Sequence, residues 1–145
     1  KTWGYIGKMH EGWGPTKNEQ SNRIITMDPK TMQAFNDLFK KTPDNVLRLV
    51  FYSPHSKYKV ISNNAANKAL GKILKELDIE PISVHGLRHT HASILLYEGA
   101  SINYISERLG HSDINTTLTT YAHVLKELRQ RDEQLAAEVF KKMYV

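Results

Sequence analysis

Apolar positions along the chain follow two regimes. Up to residue 28, aromatic and β-branched residues alternate with polar ones among Gly4, Gly7, Gly12, Gly14 and Pro15, the pattern of short extended segments punctuated by turns. It predicts a small twisted antiparallel sheet whose last strand covers residues 23–27. From Asp28-Pro29 onward the period is helical. Asp28 reads as an N-cap and Pro29 as the first helical residue of a helix to about residue 41, with Met32, Phe35, Leu38 and Phe39 as its apolar stripe. The apolar run 46–52 is too short for a helix and is broken by Ser53-Pro54-His55-Ser56. Ser62 caps an amphipathic helix over 63–77, with Ala66, Leu70, Ile73, Leu74 and Leu77 on one face and Lys68, Lys72 and Lys75 off it. Further helices are predicted over 85–97, closed by Gly99, and over 101–109, 113–120 and 125–143, the last with Leu128, Leu135, Val139 and Met143 near one face. The predicted fold class is α+β, mainly α-helical: a small N-terminal antiparallel β-hairpin or sheet followed by a helical bundle.

Composition narrows the class. With 145 residues, 40% hydrophobic and 24% charged, the chain is expected to form one packed domain, neither disordered nor fibrous. No run approaches the roughly 20 apolar residues of a membrane span, and no signal peptide or amphipathic presequence opens the chain, so a soluble, cytoplasmic protein is expected. The absence of cysteine excludes disulfides, thiolate metal sites and Cys nucleophiles. The net charge of +5 lies entirely in residues 1–60, which hold ten Lys/Arg against five Asp/Glu, whereas residues 61–145 hold ten of each. That basic part is compatible with an anionic partner such as nucleic acid. Lys1 opens directly onto an extended segment, which reads as an excised piece of a longer protein.

Five of the seven histidines lie between His85 and His123. They sit in His85-Gly86-Leu87-Arg88-His89-Thr90-His91, in Leu109-Gly110-His111-Ser112 and in Thr120-Tyr121-Ala122-His123. This order, H-x-x-R, then G-H, then a tyrosine about ten residues on, resembles the tyrosine recombinases, the phage-integrase family. Upstream, Pro15-Thr16-Lys17-Asn18-Glu19-Gln20-Ser21-Asn22-Arg23-Ile24 resembles the hairpin that carries the family's lysine, with Lys17 in that place. The resemblance covers nearly the whole chain. It implies site-specific DNA recombination, the integration or excision of a phage or mobile element, by cleavage and rejoining through a 3′-phosphotyrosyl intermediate. Tyr121 is then the nucleophile, Arg88, His85 and His111 attend the phosphate, and Lys17 protonates the leaving 5′ oxygen. No cofactor and no metal are implied. The implied partner is double-stranded DNA, bound by a homotetramer assembled through the C-terminal helix, with no membrane and no small-molecule substrate. Residues 1–145 are expected to be a single, partial catalytic domain. It would lack the upstream T-G-x-R-x-x-E type segment with the first catalytic arginine, and the N-terminal DNA-binding domains. Arg23, Arg48, Arg108, Arg129 and Arg131 all stand in other contexts, so this chain alone is expected to form little covalent adduct.

The residue types suit that chemistry on physical grounds. Attack of a hydroxyl on a phosphodiester builds negative charge on a phosphorane-like transition state, which fixed cationic donors stabilise. A guanidinium stays charged and presents a planar fork to two phosphate oxygens. His85, one helical turn before Arg88, can face the same phosphate. A tyrosine hydroxyl, with an ordinary pKa of about 10, attacks at neutral pH only with help in losing its proton. Taken singly, each residue has a structural reading: a solvated lysine, a helix-start brace, a buried tyrosine with a bonded hydroxyl, and supporting roles for His89, His91 and His123. A metal site on His85 and His89, which have i,i+4 ligand spacing, is disfavoured because Gly86 stands where zinc hydrolases of that spacing carry Glu. The alternative function is a non-enzymatic helix-turn-helix DNA reader, built from residues 102–109, a Gly110-His111-Ser112 turn and residues 114–121, with Thr116, Thr117 and Thr119 in the groove. That reading leaves Lys17, His85 and Arg88 without a role.

Overall fold

A computed structural model of the chain describes residues 2–6, 8–16, 18–46 and 48–143, those before residue 14 by backbone alone. Helices dominate it, and most begin where a short polar side chain accepts a backbone N–H that the helix itself leaves unpaired. Asp28 accepts from Thr31 N–H at 3.0 Å ahead of α1, Pro29–Lys41. Ser62 accepts from Ala65 N–H at 3.2 Å ahead of α2, Asn63–Glu76. After α3, Val84–Tyr97, Ser101 caps α4, Ile102–Leu109, and Asp113 caps α5, Ile114–Thr120. The longest helix, α6, spans Ala122–Met143.

The expected α+β class, with an N-terminal sheet leading into a helical bundle, is corrected: the fold is helical, and among the described residues no sheet layer underlies its helices. An antiparallel ladder pairs the backbone of Thr2–Ile6 with that of Lys8–Gly14, its register shifting between Trp3 and Tyr5. Residues 23–27, expected as the last strand, have no regular structure. Alternation alone does not make a strand, which also needs a paired strand beside it and a layer to cover one face. Ile24 is fully exposed, and Ile25 and Met27 are partly so.

The chain forms two compact units. The first comprises Lys1–Thr16 with Ile24–His85. In it, Phe35 on α1 packs its ring 6.3 Å from that of Phe51, and Leu49 and Leu74 are buried. An isolated antiparallel bridge joins Tyr52 to Val60. The second unit comprises Lys17–Arg23 with Gly86–Val145. Its core is Ala92 and Leu96 from α3, Ile105 and Leu109 from α4, Tyr121, and Val124 and Leu128 from α6. The front of α6 is thereby fixed to this unit. Arg131 Nη1 donates to the Tyr97 carbonyl at 2.7 Å, and the Tyr97 hydroxyl donates to Glu127. Farther along α6, Leu135, Val139, Phe140 and Met143 are exposed. Among the described residues no helix is long and apolar enough to cross a membrane.

Candidate functional site

The C-terminal end of α4 organises the site. Gly110 ends the helix in the left-handed conformation, φ 72°, which a glycine adopts without Cβ strain. The chain then turns, His111 N–H donating back to the Ser106 carbonyl at 3.1 Å. Two successive carbonyls at this helix end each hold a guanidinium: Arg108 O accepts from Arg23 Nε at 2.7 Å, and Leu109 O accepts from Arg88 Nη2 at 2.5 Å. Carbonyl ends of helices carry partial negative charge and favour cations. His111 is oriented by Thr117, fully buried on α5, whose hydroxyl lies 2.7 Å from Nδ1. When that hydroxyl donates to Nδ1, the ring proton sits on Nε2. Arg23, Arg88 and His111, together with Asn18, Ser21 and Thr116, line an open cleft of about 360 Å³.

Tyr121 occupies the joint between α5 and α6. Its N–H donates to the Thr117 carbonyl at 3.0 Å, and its own carbonyl accepts from Leu125 N–H at 3.1 Å. The side chain is a core element, 2% exposed. Its hydroxyl lies 3.1 Å from His89 Nδ1, one residue beyond Arg88 on α3, with the two rings 5.8 Å apart.

Burial raises the Tyr121 pKa above its ordinary value, and the nearby Arg88 guanidinium opposes that rise by favouring the phenolate. Arg88 is itself lowered, first by burial and then by Arg23. His111 is lowered by burial and by Arg88, Arg23 and His89. Burial, with Arg108, lowers His91, whose Nε2 accepts from Arg108 Nε at 2.9 Å. His111 and His91 are therefore neutral at neutral pH. In the unfolded chain both bind protons more readily than in the native state, so stability falls as the pH drops through their ordinary value. We expect the thermal midpoint to decline from about pH 7.5 to about pH 5.5, and His91→Asn to reduce the decline. A midpoint that rises over this interval contradicts the assignment.

Of the residues singled out in the sequence, Arg88 and His111 line one cleft, and Tyr121 stands within reach of the Arg88 charge while its hydroxyl lies against His89. His85 is on the exposed first turn of α3 and belongs to the first unit. Lys17 lies outside the described residues. His89, read as supporting, is the hydroxyl partner of Tyr121, a role its i,i+4 relation to His85 did not reveal. Arg23, set aside for its sequence context, lines the cleft. No sequence signal announces this, because it depends on a contact with Arg108, 85 residues away. Thr117, expected to face a DNA groove in a helix-turn-helix, is buried against His111 instead. Among the described residues no group of three or more His, Cys, Asp or Glu is placed to hold a metal ion.

Comparison with known proteins gives a consistent pattern. The model of the Phage integrase family matches residues 7–127. The chain is 31% identical over 109 residues to "Transposase A from transposon Tn554" of Staphylococcus aureus, covering 72% of this chain and 30% of that protein. It is 50% identical over 66 residues to "Tyrosine recombinase XerD" of Listeria monocytogenes, 45% of this chain and 22% of the relative. To the "ICEBs1 integrase" of Bacillus subtilis it is 40% identical over 50 residues, 34% of this chain and 14% of the relative. These alignments thus span less than a third of the relatives' length. No solved structure is a significant match.

Proposed function

The chain belongs to the phage integrase family, and from that premise we propose that it carries the cleaving and rejoining centre of a site-specific DNA recombinase, with Tyr121 as nucleophile. The observation that supports this most directly is the convergence of Arg88 and His111 on one cleft, with the Tyr121 hydroxyl close enough to Arg88 to feel its charge. The scissile phosphate of double-stranded DNA sits in the cleft. Arg88 presents N–H groups to its non-bridging oxygens, and His111 donates through Nε2. Tyr121 leaves its core position, loses its proton with the aid of His85 or His89, and attacks phosphorus. The new bond to the Tyr121 oxygen forms as the bond to the 5′ oxygen breaks, and Lys17, whose neighbour Asn18 lines the cleft, protonates that oxygen. Reversal by another 5′ hydroxyl rejoins the strand and needs no nucleotide cofactor, because the phosphotyrosine retains the ester bond.

The domain reading is of a partial catalytic domain, completed by a further arginine and DNA-clamping domains elsewhere in the protein. Assembly is as a homotetramer on DNA through the second half of α6, where Leu135, Val139, Phe140 and Met143 are exposed. Deleting residues 134–145, beyond the buried Leu128 and the Arg131 contact, is expected to leave the fold intact and to reduce association in light scattering on DNA. Unchanged association refutes this docking role.

The experiment for the activity traps covalent adducts on nicked duplexes of randomised sequence. It uses this chain alone and the chain grafted in place of the matching segment of the Staphylococcus aureus relative. The graft is expected to give detergent-resistant adducts that mass spectrometry places on Tyr121, and the chain alone few. A folded graft that never forms one refutes the recombinase reading.

A further inference from the structure

Arg23 stands out once the charges around the cleft are considered together. Arg23 and Arg88 are held side by side on the consecutive carbonyls of Arg108 and Leu109, at 2.7 and 2.5 Å. Arg23 is steadied further by Nη1 donating to the Ser21 carbonyl at 3.2 Å. Its approach depends on a missing side chain. A Cβ on Gly110 would lie 2.9 Å from the backbone carbonyl of Gln20 and 2.7 Å from Arg23 Nη1, so any other residue would push the Gln20 backbone or this guanidinium away from the turn that leads into His111. Among the described residues neither Arg23 nor Arg88 has a carboxylate within salt-bridge distance. Two like charges fixed beside a histidine, without a counter-charge, repel one another, and an anion bridging them relieves that repulsion.

We propose that Arg23 is a second phosphate-binding guanidinium of this cleft, gripping a DNA backbone phosphate together with Arg88 and His111. The proposal rests on reading the cleft as the phosphate site and extends it to a residue outside the H-x-x-R and G-H motifs. A guanidinium donates five N–H groups, so Nε and one Nη can serve the carbonyls while further N–H groups face the cleft. Anchoring to backbone carbonyls costs the side chain its rotamer freedom before the anion arrives, which strengthens what each remaining donor contributes.

The test uses the full 145-residue chain, ¹⁵N-labelled, with inorganic phosphate as the probe. Phosphate is expected to shift the side-chain Nε–Hε resonances of both Arg23 and Arg88 and the ring signals of His111, all with one affinity. Arg23→Gln and Arg88→Gln should each weaken that affinity about tenfold, and Arg23→Lys by less. Phosphate that moves Arg88 and His111 but not Arg23, with Arg23→Gln binding like the wild type, overturns the proposal, as does a titration that moves none of the three. Should Arg23→Gln fail to fold, the wild-type Arg23 resonance decides alone. The outcome is separable from the recombinase reading. Adducts on Tyr121 with an Arg23 indifferent to phosphate remove only the proposal, whereas phosphate held by both arginines with no adduct in the grafted protein removes only the reading.

Discussion

Tyr121→Phe is expected to abolish every covalent protein–DNA adduct in the grafted protein while leaving fold and DNA binding nearly intact. On the proposed reading the loss is complete, because without the Tyr121 oxygen the protein has no attacking group from which to form the phosphate ester. The structural cost is small: the ring keeps its place among Ala92, Ile105, Leu109 and Val124, and only the contact with His89 disappears, worth roughly 1 kcal/mol. Adduct yield on denaturing gels and a thermal melt measure the two effects. A Phe variant that still forms adducts would show that another residue is the nucleophile.

The next largest effect is expected at Arg88. Arg88→Gln should slow single-turnover adduct formation by about 10² to 10³-fold, the scale on which one preorganised donor to a developing anion contributes. Arg88→Lys should recover little, because a point charge on a flexible stem cannot donate to the Leu109 carbonyl and fork two phosphate oxygens at once. Wild-type rates in the Gln variant would mean that the cleft is not where the phosphorus reacts.

The sequence revealed the helices better than the extended segments because helix starts are local. Asp28, Ser62, Ser101 and Asp113 each announce a helix by a bond that spans two or three residues. A strand depends on pairing with a distant segment, and residues 23–27 show the alternation yet form no regular structure. The site divides in the same way. Motif order singles out Arg88, His111 and Tyr121 as a set, because a family likeness carries spacing along the chain. It carries nothing about burial: a buried tyrosine with a bonded hydroxyl stands only as the reading of the residue taken singly, and its partner, His89, is not identified by it. Arg23 was illegible for a further reason. Its meaning lies in the carbonyl of Arg108 and the bare Cα of Gly110, and backbone groups leave no trace in residue identity.

The placement of Tyr121 inside the core has a consequence on the scale of descent rather than of reaction. Two selective pressures meet at this one position and ask different things of it. Folding demands a large aromatic side chain there, and the proposed role as nucleophile demands an oxygen on that ring. A lineage that no longer benefits from moving DNA is released from the second demand but not the first. Phe can then replace Tyr at the cost of little more than the His89 contact, about 1 kcal/mol, whereas Ala leaves a void that costs about 3–5 kcal/mol. If Tyr121 is the nucleophile as proposed, its replacement by Phe leads to a folded, inert remnant rather than to an unfolded one, and such remnants keep the appearance of the working protein in every feature except a single atom.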